Sequence, residues 1–237
     1  MKAIIIGASS GIGMQLSRIM SKDGVTLGLT GRRLELLNSL KSELPSETKV
    51  KFMDISKPYN AMETLNNLIK EMGGVDLIIV SAGIGHINYD LKWELEQETI
   101  NTNILGVTAV INAAMQYFLK EKHGHLAIIS SVASLRGSAE CPAYNASKSY
   151  LSNYIEGIRC KVKKQKLNIT VTDIKPGLVD TGMAKGEGLF WVMPLDKASK
   201  QIYTALKKRI DIIYVTKRWK YIACLLKIMP KEIYYKM

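Results

Sequence analysis

The sequence predicts a doubly wound α/β fold: one parallel sheet of seven strands with helices on both faces. Three observations predict it. Short β-branched apolar runs alternate with longer segments of helical periodicity along the 237-residue chain. The strands read as near-continuous apolar runs, the pattern of strands covered on both faces. The first of them runs straight into a glycine-rich turn, "GASSGIG" at 7–13.

Each element follows in order. "KAIII" (2–6) is a strand and 11–23 a helix; "VTLGLT" (25–30) is a strand and 33–44 a helix. "VKFMD" (50–54) precedes a helix at 58–72, and "VDLIIV" (75–80) precedes a loop and a long helix at 97–121. "HLAIIS" (125–130) leads to a second long helix at 142–165. "NITVTDI" (168–174), an irregular segment, a helix at 196–208 and "DIIYV" (211–215) complete the series. Right-handed crossovers place the helices on both faces of a Rossmann-type sheet. No repeat, low-complexity tract or linker interrupts it, so 1–216 is one domain and 217–237 a tail.

Composition narrows the class. Hydrophobic residues are 47% and charged residues 23% of the chain, the balance of a globular protein able to bury a core. Cys141, Cys160 and Cys224 form neither a disulfide framework nor a metal-ligand spacing. The three histidines do not join them at zinc spacing, so no metal is expected. That cysteine pattern favours a reducing compartment, and with no signal peptide or membrane span visible the expectation is a cytoplasmic chain or one peripheral on the inner face of the membrane. The net charge of +12 is concentrated at the end: from Lys207 onward there are nine basic and two acidic residues. That asymmetry suits a negatively charged surface.

Several residues are placed for chemistry. Gly7, Gly11 and Gly13 lie at a strand-to-helix turn, where small residues let backbone approach a pyrophosphate. Their G-x-x-x-G-x-G spacing differs from the common G-x-G-x-x-G fingerprint. At the end of the second strand, where an acid reads a ribose 2′-hydroxyl, the chain has Arg32 and Arg33 instead. Guanidinium groups suit a 2′-phosphate and favour NADP(H), unless they are simply a solvated helix start. Asp54, ending the third strand, either accepts from an adenine amino group or caps the next helix. Tyr144 and Lys148 in "YNASK" share one helical face. An ammonium there lowers a phenol from its usual pKa near ~10 towards working pH. Ser131 lies just past the fifth strand, at the sheet edge where ligands bind.

In combination these motifs resemble the short-chain dehydrogenase/reductase superfamily, in its single-domain ketoreductase-like branch. The matching stretches are "GASSGIG" (7–13), "SAG" (81–83), "TNILG" (102–106), "ISS" (129–131), "YNASK" (144–148) and "PGLVDT" (176–181). The resemblance covers about 1–216. It implies that Tyr144 is a general acid/base, that Lys148 lowers its pKa and holds the nicotinamide ribose, and that Ser131 orients the substrate oxygen. Asn103 would locally open its helix and anchor a water in a proton relay. Gly7, Ser9, Ser10, Gly11, Ile12 and Gly13 would line the pyrophosphate turn. Asp54 and Ile55 would flank adenine, with Ala82 and Gly83 also against the cofactor. Pro176, Gly177, Val179 and Thr181 would meet the nicotinamide end. The implied reaction interconverts a carbonyl and a secondary alcohol. Relatives form dimers or tetramers through the two long helices. Val80 and Ser81 stand where the family usually has two asparagines. Leu151, seven residues after Tyr144, disfavours the enoyl-reductase spacing.

The remaining features bear on the substrate and the alternatives. The segment 182–194, with Phe190 and Trp191, is an apolar lid that suits a lipid-like or aromatic ketone. His86 and Cys141 border the same mouth, the thiol more as packing than as nucleophile. His123 and His125 flank a turn and are expected at the surface. In the tail, Trp219, Ile222, Ala223, Leu226, Met229 and Ile233 fall on one helical side and Lys220, Lys227 and Lys231 on another. That face suits an anionic membrane, a partner subunit or the pocket itself. A non-catalytic dinucleotide-binding scaffold or redox sensor is the rival reading; no nucleic-acid motif supports a third.

Overall fold

The computed structural model describes residues 1–182 and 191–235. Successive side chains of a strand point to opposite sides of the sheet, and here both sides are apolar. In β1 (Lys2–Ile6), Ile4 and Ile6 enter one core while Ala3 and Ile5 enter the other. The strands β2 (Thr26–Gly31), β3 (Thr48–Phe52), β4 (Leu77–Val80), β5 (His123–Ile129), β6 (Asn168–Pro176) and β7 (Ile212–Val215) complete a sheet of order 3-2-1-4-5-6-7. Every pairing is parallel. The order reverses between β1 and β4, which opens a crevice at their carboxyl ends.

Helices α1 (Gly11–Lys22), α2 (Leu34–Glu43) and α7 (Leu195–Lys207) cover the core that holds Ile5, Leu29 and Ile174. On the other face lie α3 (Pro58–Glu71), α5 (Val107–Glu121) and α6 (Pro142–Lys164), packed on Ile4, Leu126 and Val171. Ahead of α5, α4 (Trp93–Ile100) continues through a wider π turn, Asn101–Gly106. The tail forms α8 (Lys217–Ile228) and α9 (Lys231–Tyr234). Strand and helix limits fall within two to four residues of those the periodicity predicts. Among the described residues no helix is long and apolar enough to cross a membrane.

His125 is not at the surface. β5 begins earlier than expected, at His123, and carries His125 into the core, where its Nε2 lies 2.8 Å from Thr172 Oγ1. Burial, with Arg209 second, pulls the imidazole from 6.5 down to about 4. A base depressed in the folded state makes the unfolded chain the better proton binder between these values. The contribution of His125 to stability is therefore full above pH 6.5, falls by about 3 kcal/mol as the pH drops towards 4, and changes no further below it. His125→Gln should flatten that part of the acid melting curve; an unchanged slope would contradict the assignment.

Candidate active site

The turn after β1 is held by two backbone approaches that exclude side chains. Gly7 has φ +88, and a Cβ on it would stand 2.5 Å from Ala82 N. A Cβ on Gly13 would stand 2.3 Å from the Gly7 carbonyl oxygen. The first turn of α1, where Ile12 is half-buried, can thus press against the ends of β1 and β4. Its N–H groups point out of the sheet edge, a cradle that fits a dinucleotide's pyrophosphate. Arg33 joins the cradle: its guanidinium donates to Ser9 Oγ at 2.9 Å and to Ser10 Oγ at 2.6 Å. Arg32 is exposed beside it. Asp54 lies two residues past the end of β3, and its Oδ1 accepts from the N–H and the hydroxyl of Ser56. That is a turn-forming role, whatever else the carboxylate meets. Ile55 is buried, and its carbonyl oxygen lies 2.2 Å from where a Gly106 Cβ would be.

That contact belongs to the π turn. The Val107 N–H reaches back five residues to the Thr102 carbonyl, so the helix is widened as Asn103 requires. Asn103 is fully buried. Its Oδ1 accepts from Ile84 N at 2.9 Å, and its Nδ2 donates to Ile84 O at 2.7 Å and Ser147 Oγ at 3.0 Å. The side chain thereby clamps the loop after β4. Cβ positions on Gly83 and Gly85 would touch Lys148 Nζ at 3.3 Å and the Tyr144 ring at 2.9 Å. Ile84 and Ser147 escape a reading of the sequence because they contribute backbone and a helix-lining hydroxyl.

Ser131, Tyr144 and Lys148 converge over the carboxyl end of β5. Ser131 caps the short 3₁₀ turn Val132–Leu135, accepting from Ala133 N at 3.0 Å. Lys148 is buried, donates to Ile129 O at 3.1 Å, and lies 5.6 Å from the Tyr144 ring centroid. The electrostatics differ from expectation. Burial raises the Tyr144 phenol above its ordinary value; the Ser131 hydroxyl, hydrogen-bonded to it, pulls the other way, and Cys141 adds a small rise. Burial is thus the dominant effect on the phenol. The Lys148 ammonium is lowered by burial to about 8, with Asp173 opposing.

The far wall is Pro176–Thr181. Pro176 O accepts from Ser131 Oγ at 3.4 Å, and the Thr181 methyl lies 3.5 Å from where a Gly11 Cβ would be. Val179 is buried and bridges to Met193. Trp191 is exposed with Arg218 5.8 Å from its ring centroid; Phe190 lies outside the described residues. Cys141 is half-buried, donates to Asn145 Oδ1 at 3.2 Å, and burial pushes its thiol up, so it packs. His86 Nε2 lies 2.9 Å from Glu98 Oε2, in the loop that Asn103 clamps.

The tail closes the rim. Trp219 and Ala223 are buried, with the indole directly on Gly177. Arg136 donates to the carbonyls of Leu226, at 2.8 Å, and Met229, and its guanidinium lies 5.1 Å from the Tyr234 ring centroid. The Tyr234 hydroxyl donates to Gly137 O. Of the apolar face that suited a membrane, a partner or the pocket, Trp219 and Ala223 are buried against the rim and Ile233 is exposed; Tyr221, Leu225 and Ile228 are exposed beside Lys220 and Lys227.

A glycine cradle at a topological switch point, with a Ser–Tyr–Lys cluster beside it, defines an oxidoreductase of the dinucleotide-binding α/β class. The family model for short chain dehydrogenase matches residues 1–189. An uncharacterized oxidoreductase of Myxococcus xanthus is 35% identical over 182 residues, 75% of this chain and 71% of that one. The 3-oxoacyl-[acyl-carrier-protein] reductase of Bos taurus is 27% identical, with 76% of each chain covered. Among solved structures, a short chain dehydrogenase/reductase from Burkholderia phymatum in complex with NAD superposes with a TM-score of 0.84 at 17% identity, covering 94% of this chain and 92% of that one. An alcohol dehydrogenase from Thermococcus sibiricus complexed with 5-hydroxy-NADP gives 0.79 at 24% identity, covering 90% and 95%. The chain belongs to the short-chain dehydrogenase/reductase family. It is an NAD(P)H-dependent dehydrogenase/reductase, and its cofactor is a nicotinamide dinucleotide.

Proposed function

We propose that this enzyme uses NADPH to reduce an apolar ketone, with alcohol oxidation as the reverse. The convergence of Ser131, Tyr144 and Lys148 beside the Gly7–Gly13 cradle carries the reading. The bound dinucleotide supplies the hydride. Tyr144, whose phenol burial keeps protonated, gives its proton to the carbonyl oxygen. Ser131 holds that oxygen against the phenol, Lys148 steadies the negative charge left behind, and Asn103 keeps the loop and the water route in place. Arg33 supports the choice of NADPH, since it already reaches the pyrophosphate turn from the end of β2. The apolar substrate is supported by Trp191, Val192 and Ile87, exposed around the mouth. Self-association through α5 and α6 is part of the reading.

A panel of hydrophobic ketones and alcohols assayed with both cofactors tests this. NADPH-dependent turnover is expected. Dinucleotide binding without turnover of any carbonyl would favour a non-catalytic scaffold or redox sensor. In the same assay, Arg33→Ala should weaken NADPH by about 10-fold or more, the scale of a lost charge-assisted hydrogen bond, and NADH by less. Equal losses would remove the case for NADPH.

A further inference from the structure

Beneath α6 the sheet carries a buried ion pair that the chemistry above does not use. Asp173 and Lys175 are two residues apart on β6, so both side chains leave the face that α6 covers. They are 2% and 6% exposed, with carboxylate and ammonium 2.8 Å apart. Ser130 Oγ donates to the Asp173 carboxylate. The Lys175 ammonium donates to Ser134 Oγ at 3.0 Å and Ser152 Oγ at 2.5 Å. Ser149 Oγ donates to Ser134 O at 2.6 Å. The pair therefore ties β6 to the turn that Ser131 heads and to α6 one turn beyond Lys148. Such a pair costs several kcal/mol per ion to desolvate, and apolar residues of similar volume often serve stability as well. It is tied to the surroundings of Lys148: Ser130, which donates to Asp173, follows Ile129, whose carbonyl accepts from Lys148, and Ser152, which accepts from Lys175, lies one turn on from Lys148 along α6.

Lys148 is 5% exposed, and an ammonium so buried needs a counter-charge. The groups on the elements around it are Tyr144 on its own helix, Ser131 after β5, Asn103 on the π turn, and Asp173 and Lys175 on β6; Cys141 acts on Tyr144. Asp173 is the carboxylate of that set, and its charge is what opposes the effect of burial on Lys148.

We propose that Asp173 is the counter-charge that keeps the buried Lys148 ammonium protonated. Lys175, sharing the same carboxylate, sets how much of that charge Lys148 receives. Both are positioning residues, acting through Lys148, and the inference rests on Lys148 working as a cation beside Tyr144.

The test is the pH dependence of kcat/KM for ketone reduction by the full-length chain at saturating NADPH. Activity that needs the ammonium falls as pH rises through its pKa of about 8. Asp173→Asn removes the attraction, so the fall should come about 1 pH unit earlier. Lys175→Met frees the carboxylate for Lys148, so the fall should come about 1 unit later. Lys175→Arg keeps the charge and should keep the wild-type profile. A pair that only packs would lower activity at every pH without moving the limb. Thermal melting and NADPH fluorescence confirm that each variant is folded and loaded, and either variant alone decides if the other does not fold. A limb that stays put, or moves the same way in both, overturns the proposal. Undiminished turnover in Tyr144→Phe or Lys148→Met would instead remove the functional reading beneath it.

Discussion

Replacing Tyr144 with phenylalanine should lower ketone-dependent NADPH oxidation by roughly 10³-fold, the scale of a lost general acid, while NADPH still binds. The ring lies against Gly85, where an added Cβ would come within 2.9 Å of Cδ2. Phenylalanine fills that space equally well, so what disappears is the hydroxyl alone. Lys148 keeps its bond to Ile129 O, and the glycine cradle is untouched. The loss should therefore appear in the hydride-transfer step of a single turnover, with little change in substrate affinity. The protein holds the phenol protonated, through burial that outweighs the Ser131 hydrogen bond. The proton is thus available to a carbonyl across the neutral range. Turnover near the wild-type level would mean that another group gives the proton, and would remove Tyr144 from the reaction.

The fold was legible because it rests on periodicity. The central strands are apolar runs covered on both faces, and most helices bury one stripe, so the alternation survives small errors at the ends. The site was legible where residue type and spacing coincide with backbone demands. Gly7 and Gly13 must lack side chains, Asn103 sits in a widened turn, and Tyr144 and Lys148 are one turn apart. What spacing could not give was the depth at which the pair is buried. Lys148 shares a helical face with Tyr144 and lies over its ring, yet burial raises the phenol where a fall was expected. Nor could spacing orient the tail. Trp219, Ala223 and Leu226 make one apolar stripe and Tyr221, Leu225 and Ile228 another, and only the contacts on Gly177 and Arg136 decide between them. Asp173 and Lys175 did leave a signal: two charges on the strand face they share with Ile169 and Val171. Its meaning depends on Ser130, Ser134 and Ser152, which are far from it in the chain.

The tail makes the second large prediction. Trp219→Ala should destabilise the protein by about 3–5 kcal/mol, the usual cost of emptying a buried indole site, and should lower kcat with it. The reason is the seat of the ring. A Cβ on Gly177 would lie 2.2 Å from Trp219 Nε1 and Cε2, so the indole rests on bare backbone. That backbone is the turn whose neighbour Pro176 accepts from Ser131 and whose end, Thr181, faces Gly11. The Gly177 N–H donates to Val215 O at 2.6 Å, fixing the turn to β7 from the other side. Moving the ring therefore frees a segment that spans the cleft from the Ser–Tyr–Lys cluster to the glycine cradle. Gly177→Ala in the intact protein should cost about 1–3 kcal/mol, because methyl and indole cannot share the space. In a chain already carrying Trp219→Ala, the methyl has room and most of that cost should vanish. Thermal and denaturant melts of the two single variants and the double variant give the coupling, expected at about 0.5–3 kcal/mol. Additive losses would mean that the tail merely covers the rim; a strong coupling makes α8 part of the wall that holds the far end of the cleft.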